Sequence, residues 1–66
     1  MKVGDLVQWR EDGRYTKDAN RKWGIGLVIE IYNDHDDVRM RDVEIMYTKI
    51  RTSRTIRQCM LEVVST

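Results

Sequence analysis

The sequence holds one cysteine, one histidine and no proline in 66 residues. A single cysteine excludes a disulfide within the chain, and with only one histidine beside it a Cys/His zinc site is excluded as well. The two devices that most often brace small domains are therefore missing. No apolar run approaches the roughly 20 residues of a membrane-spanning helix, and the opening Met-Lys-Val-Gly-Asp does not resemble a secretory leader. One unpaired thiol suits a reducing interior, so a cytoplasmic location is expected, with no membrane partner. Charge of one sign is also lacking. Twelve basic and eleven acidic side chains leave a net charge of +1, which selects neither for nor against nucleic acid and leaves only the distribution to inform. A chain this short is expected to form one domain, residues 1–66, burying about 60% of the surface its unfolded form exposes. It has no room for a deep active site, and its core must suffice alone or be helped by a second copy.

What is present is β-forming sequence. Residues 23–32, Trp-Gly-Ile-Gly-Leu-Val-Ile-Glu-Ile-Tyr, are the longest run rich in β-branched and large apolar residues, as a central strand requires. Alternation puts Ile25, Leu27, Ile29 and Ile31 on one wholly apolar face and Gly24, Gly26, Val28, Glu30 and Tyr32 on the other. The two glycines let the strand start bend or admit another backbone closely. Before it, Val3-Gly4-Asp5 reads as a turn and Leu6-Val7-Gln8-Trp9 as a first strand. Residues 10–22 show no apolar periodicity and carry turn formers, so a long loop is expected there. The polar cluster Asn33-Asp34-His35-Asp36-Asp37 predicts a turn. Val43, Ile45 and Tyr47 alternate as a third strand whose start could reach back to Val38 or Met40. Residues 53–57 and 61–65 are predicted as the last two strands, joined by a tight connection over Gln58-Cys59-Met60. No segment shows the period of a stable helix.

Five short strands, a long loop after the first, a glycine-bearing second strand and a one-turn connection before the last make the arrangement of an SH3-like barrel. The Lys2-Val3-Gly4-Asp5-Leu6-Val7 opening, the Gly24-Ile25-Gly26-Leu27-Val28-Ile29-Glu30-Ile31 strand and the closing Leu61-Glu62-Val63-Val64 resemble small SH3-like domains of the KOW and Tudor-like kind. They also resemble short uncharacterised SH3-like proteins encoded by bacteriophages, in which case the location would be the host cytoplasm. The resemblance covers nearly the whole chain and implies binding to protein or nucleic acid. The plasmid-borne type II dihydrofolate reductases look similar in size and in their Gly-Asp-x-Val and Trp-x-Gly-x-Val elements. They build one active site at the centre of a tetramer from a late Val-Gln-Ile-Tyr run. Here the late chain reads Thr55-Ile56-Arg57-Gln58-Cys59, so that catalytic signature is missing and none of those residues is carried over.

Two basic regions are candidates for phosphate contact. The first combines Arg14, Tyr15, Lys17, Arg21 and Lys22 with Trp23, cations for phosphates and rings for base stacking. Its plainer reading is a solvated loop, with Trp23 covering an open end of the core. The second is Lys49, Arg51, Arg54 and Arg57, with no acid from Thr48 to Met60. Arg51 and Arg57 could share a face of the third-fourth hairpin and touch a phosphate backbone, and arginines on a strand edge also discourage edge-to-edge aggregation. Trp9, Trp23, Tyr32 and Tyr47 are candidates for a partner-binding aromatic surface near the long loop, against the alternative of core or rim packing. The Asp34–Asp37 cluster has no register for Ca²⁺ or Mg²⁺ and reads as a solvated turn. Together with the basic hairpin it favours charge-complementary association with a partner or another copy. Cys59 reads as a small buried apolar residue. No constellation supports catalysis, a cofactor, a metal or a small-molecule substrate. The expectation is an all-β, five-stranded SH3-like barrel acting without catalysis as a binding or assembly module. Its partner is a protein or itself, with nucleic acid as the alternative and a tetrameric reductase as a remote one.

Overall fold

A computed structural model describes residues 1–11 and 16–65, with side chains over 1–11 and 17–64. Among the described residues the chain runs β1 (Leu6–Trp9), α1 (Thr16–Trp23), β2 (Gly26–Ile31), β3 (Asp42–Tyr47), β4 (Thr52–Arg57) and β5 (Leu61–Ser65). Single 3-10 turns at Val38–Met40 and Gln58–Met60 precede β3 and β5. The five strands form one antiparallel sheet in the order β4-β3-β2-β1-β5. No helix among the described residues is long and apolar enough to cross a membrane.

The expected loop after β1 contains a helix. Within Thr16–Trp23 its apolar residues are Ala19 and Trp23, one helical step apart, which is too little periodicity to read in sequence. Local chemistry and a tertiary clamp hold it instead. Asp18 lies in its first turn and Arg21 and Lys22 in its last, each matching the helix dipole. Gly24, at φ +73°, takes the left-handed position just past the end and donates its N–H to Asn20 O at 2.8 Å. Asn20 then ties the helix to β1: its Oδ1 accepts from Trp9 N and its Nδ2 donates to Trp9 O, both at 2.9 Å. That side-chain amide stands where a neighbouring strand would. β2 consequently starts at Gly26 rather than at Trp23, and Val38 and Met40 lie in a 3-10 turn rather than in β3.

The core consists of Val7, Val28, Val43, Ile45, Tyr47, Ile56 and Leu61. β3 sets which side of the sheet is inside, because Val43, Ile45 and Tyr47 are its uninterrupted apolar face and all are fully buried. Register places Val28 opposite Ile45 and Ile31 opposite Val43. A bulge between Val28 and Glu30 makes Ile29 the surplus residue, so the alternation changes phase there. The face of Ile25, Leu27, Ile29 and Ile31 is therefore split: Ile31 turns inward and packs against the core, while the other three are exposed. Gly26 lies inside. It admits side chains rather than a backbone, since an added Cβ would stand 2.2 Å from Ile45 Cγ2 and 2.9 Å from Tyr47 Cε1.

Candidate functional site

Cross-strand partners share a face. Leu6 pairs with Leu27, Leu27 with Met46 and Met46 with Ser53, all on the side away from the core. Leu6, Leu27 and Met46 are 38%, 40% and 37% exposed, forming a continuous apolar row across three strands. Ile25 and Ile29, two residues either side of Leu27, and Val64, the surplus residue of a second bulge opposite Leu6 and Val7, extend it. Single exposed apolar residues are ordinary, whereas a contiguous patch marks an interaction surface. Sequence reasoning recognised these residues as apolar and placed the β2 members on one apolar face. The register of β3 decides that this face is outside.

Along β3 the same outward side is acidic ahead of Met46. Asp42 and Glu44 precede Met46, and Glu30 is paired directly with Glu44. Beyond Tyr47 comes the turn carrying Lys49 and Arg51, with Arg51 at φ +54°. Here the two basic regions of the sequence meet. Lys49 Nζ donates to Arg21 O at 2.5 Å, and the Lys49 stem passes 3.4 Å from where a Gly24 Cβ would be. Arg54 reaches back over Trp23, 5.4 Å from the ring centroid. Lys49 and Arg54 thus join Arg21 and Lys22 at the end of α1, and none of the four has a carboxylate partner among the described residues.

Beneath that cluster the aromatics stack. Trp9 and Trp23 have centroids 5.7 Å apart, and Trp23 and Tyr47 5.4 Å, both tilted. Trp9 and Trp23 are half-buried, so Trp23 covers the edge of the core. Tyr47 is fully buried and supports Trp23 from below, so it is no ligand contact. Burial pushes its phenol up to about 12. Tyr32 lies apart from these rings and donates to Glu44 Oε1 at 2.9 Å. That bond, then partial burial and the charges of Glu30 and Glu44, raise its phenol to about 12. Arg57 is opposite Asp42, at the far end of β4 from Arg51, so the two arginines do not share a surface. Lys17 is exposed on α1, and Arg14 and Tyr15 lie outside the described residues.

The carboxylates of the acidic turn serve backbone amides. Asp34 Oδ1 accepts from Asp42 N at 3.2 Å, and Asp37 Oδ1 from Arg39 N at 3.0 Å, capping the 3-10 turn. Those bonds hold both acids below the usual carboxylate range, whereas Asp42, hydrogen-bonded through its side chain to the Asp34 carboxyl, is held above it. His35 Nδ1 accepts from Asp37 N at 3.0 Å, and His35 O accepts from Arg41 Nε at 2.7 Å. An open cleft of about 490 Å³ lies between this turn and β5, lined in part by Met40, Gln58, Cys59 and Leu61. Cys59 is half-buried there rather than in the core.

The chain was compared with protein-family models, curated proteins and solved structures. None matches. The functional reading rests on the geometry of the outward face and the basic end.

Proposed function

We propose that the protein is a non-catalytic binding and assembly module that engages polypeptide through the outward side of its sheet. The observation that carries this reading is the exposed row of Leu6, Leu27 and Met46, extended by Ile25, Ile29 and Val64 on a domain whose buried core contains only seven apolar residues among those described. The support for an SH3-like barrel is the strand order, with β5 returned beside β1, and the one-turn helix immediately before β5. The test is site-specific photo-crosslinking in cells expressing the full chain, with the photoreactive residue at position 27 or, as control, at exposed Arg39 in the 3-10 turn before β3. Covalent adducts with polypeptide are expected from position 27 and not from position 39. No adduct at position 27, or equal labelling at both, refutes the reading.

A second reading is favoured by the convergence of the two basic regions around Trp23. Short nucleic acids would place phosphates on Arg21, Lys22, Lys49 and Arg51, with binding that falls steeply as salt rises. Amide NMR titration with mixed-sequence oligonucleotides at low and physiological salt tests it. Shifts that cluster on those residues and fade with salt support it, and unshifted spectra refute it.

A further inference from the structure

We infer that the outward side of the sheet receives a cationic amphipathic helix of another polypeptide, its apolar stripe on Leu6, Leu27 and Met46 and its lysines or arginines against Glu30, Glu44 and Glu62. The inference rests on the reading above that this face binds polypeptide, and goes further by naming the charge and shape of the segment bound.

Charge supplies the first argument. The charged residues of the five strands are Glu30 on β2, Asp42 and Glu44 on β3, Arg54 and Arg57 on β4, and Glu62 on β5. Arg54 pairs with buried Ile45 and reaches over Trp23, on the core side. Arg57 is opposite Asp42 and offsets it. Gln8 alternates with fully buried Val7 and pairs with Glu62, so both point outward. Glu30, Glu44 and Glu62 are thus the charges left over on the outward side of the strands, on a chain whose net charge is +1. None of the three has a lysine or arginine partner among the described residues. Two of them accept hydrogen bonds, Glu44 from the Tyr32 hydroxyl at 2.9 Å and Glu62 from Gln8 Nε2 at 2.7 Å. Both donors are neutral, so they orient the carboxylates and leave the negative charge in place. Glu30 and Glu44 are also direct cross-strand neighbours, a like-charge pair that an incoming cation relieves. An apolar row bordered by uncompensated carboxylates favours apolar sequence that carries positive charge and repels acidic sequence.

The layout supplies the shape. Leu6, Leu27 and Met46 lie on three adjacent strands, so at ~4.8 Å per strand spacing the row spans about 10 Å. Apolar residues at the first, fourth or fifth, and eighth positions of a helix cover the same distance at about 1.5 Å per residue. The glutamates flank this row on opposite sides. β1 and β3 run in the same direction, both being antiparallel to β2. Glu44, with Glu30 opposite, comes two residues before Met46, whereas Gln8, with Glu62 opposite, comes two residues after Leu6. The two flanks are therefore about 13 Å apart along the strands, room for a helix about 10–12 Å across. Long cationic side chains bordering its apolar stripe reach a carboxylate on either side while their stems stay on the apolar row.

The test is amide NMR titration of the full labelled chain with an amidated model peptide of about 14 residues, long enough to form a helix on contact. The peptide is built from leucine, alanine and lysine, with leucines on one helical stripe and lysines bordering it, and is compared with the same peptide carrying glutamate for every lysine. The lysine peptide is expected to bind, to shift the amides of Leu6, Leu27, Glu30, Met46 and Glu62, and to bind more weakly as salt rises. The glutamate peptide is expected not to bind. Leu27→Lys should weaken the lysine peptide at least about 10-fold, and Glu30→Gln or Glu62→Gln about 2–5-fold each, with the amide spectrum of the folded chain kept in all three. Equal binding of both peptides overturns the inference, as do shifts confined to the acidic turn Asp34–Asp37, a complex insensitive to Leu27→Lys, or no binding at millimolar peptide. If it is overturned while position 27 still crosslinks to polypeptide in cells, the cationic helix falls and the binding reading stands. If position 27 crosslinks to nothing, both fall.

Discussion

Gly26→Ala is the sharpest test of the packing. The new methyl would stand 2.2 Å from Ile45 Cγ2, 2.9 Å from Tyr47 Cε1 and 3.1 Å from Tyr47 Cδ1. Neither neighbour can retreat into solvent, because both side chains are fully buried. Overpacking a closed core costs about 1–3 kcal/mol, and contacts this short place the cost at about 2–3. A domain of this size has only about 3–10 kcal/mol of total stability, so the loss is a large fraction of it. The melting temperature should fall by roughly 10–20 °C. The assay is thermal and urea unfolding at one fixed protein concentration, since self-association adds a concentration-dependent term. Gly24→Ala is the internal control: it meets the Lys49 stem at an ordinary 3.4 Å and suffers chiefly from its φ of +73°, a cost of about 1 kcal/mol. If Gly26→Ala unfolds within 0.5 kcal/mol of wild type, or is milder than Gly24→Ala, the inward placement of this face of β2 is wrong.

Asn20→Ala removes both hydrogen bonds to the Trp9 backbone and should cost about 1–3 kcal/mol, with the loss of helical circular dichroism preceding global unfolding. A single transition with unchanged midpoint refutes the clamp. Tyr47→Phe removes a buried hydroxyl that has no hydrogen-bond partner among the described residues, so stability in urea should be unchanged or rise by about 1 kcal/mol. A loss beyond that shows the hydroxyl is bonded. Tyr32 and Tyr47 both have phenols raised from 10.0 to about 12. The folded state therefore favours their neutral forms, and this contribution is complete below pH 10 and lost as pH rises toward 12. Phenolate absorbance should lag behind that of free tyrosine, and stability should decline through the same window. All tyrosines titrating together near 10 would refute it.

The strands were legible because their chemistry is local. β1, β3, β4 and β5 fall within a residue of where alternation and β-branching put them, and the tight connection before β5 is the 3-10 turn Gln58–Met60. α1 was not legible, because two turns with Ala19 and Trp23 as its apolar residues are held by Asn20 reaching another element, which no local pattern encodes. Which face of β2 turns inward was not legible for a related reason. Composition favours burying Ile25, Leu27 and Ile29, but Tyr47 and Ile45 fill the space that Gly26 leaves, and the pairing of Val28 with Ile45 outweighs the strand's own preference. For the site, each basic region was visible by itself. Their meeting through Lys49 and Arg21 is a tertiary fact.

Ile29 and Val64 are each the extra residue of a bulge. Take either away and every remaining cross-strand pair keeps its partner: Val28 with Ile45, Glu30 with Glu44, Leu6 with Ser65, Val7 with Val63. Two of the six apolar side chains on the outward face, Leu6, Ile25, Leu27, Ile29, Met46 and Val64, are thus supernumerary to the ladder. A lineage carrying this fold can enlarge or shrink that surface by inserting or deleting single codons, with no compensating change in the core, so its capacity to associate can evolve independently of its capacity to fold.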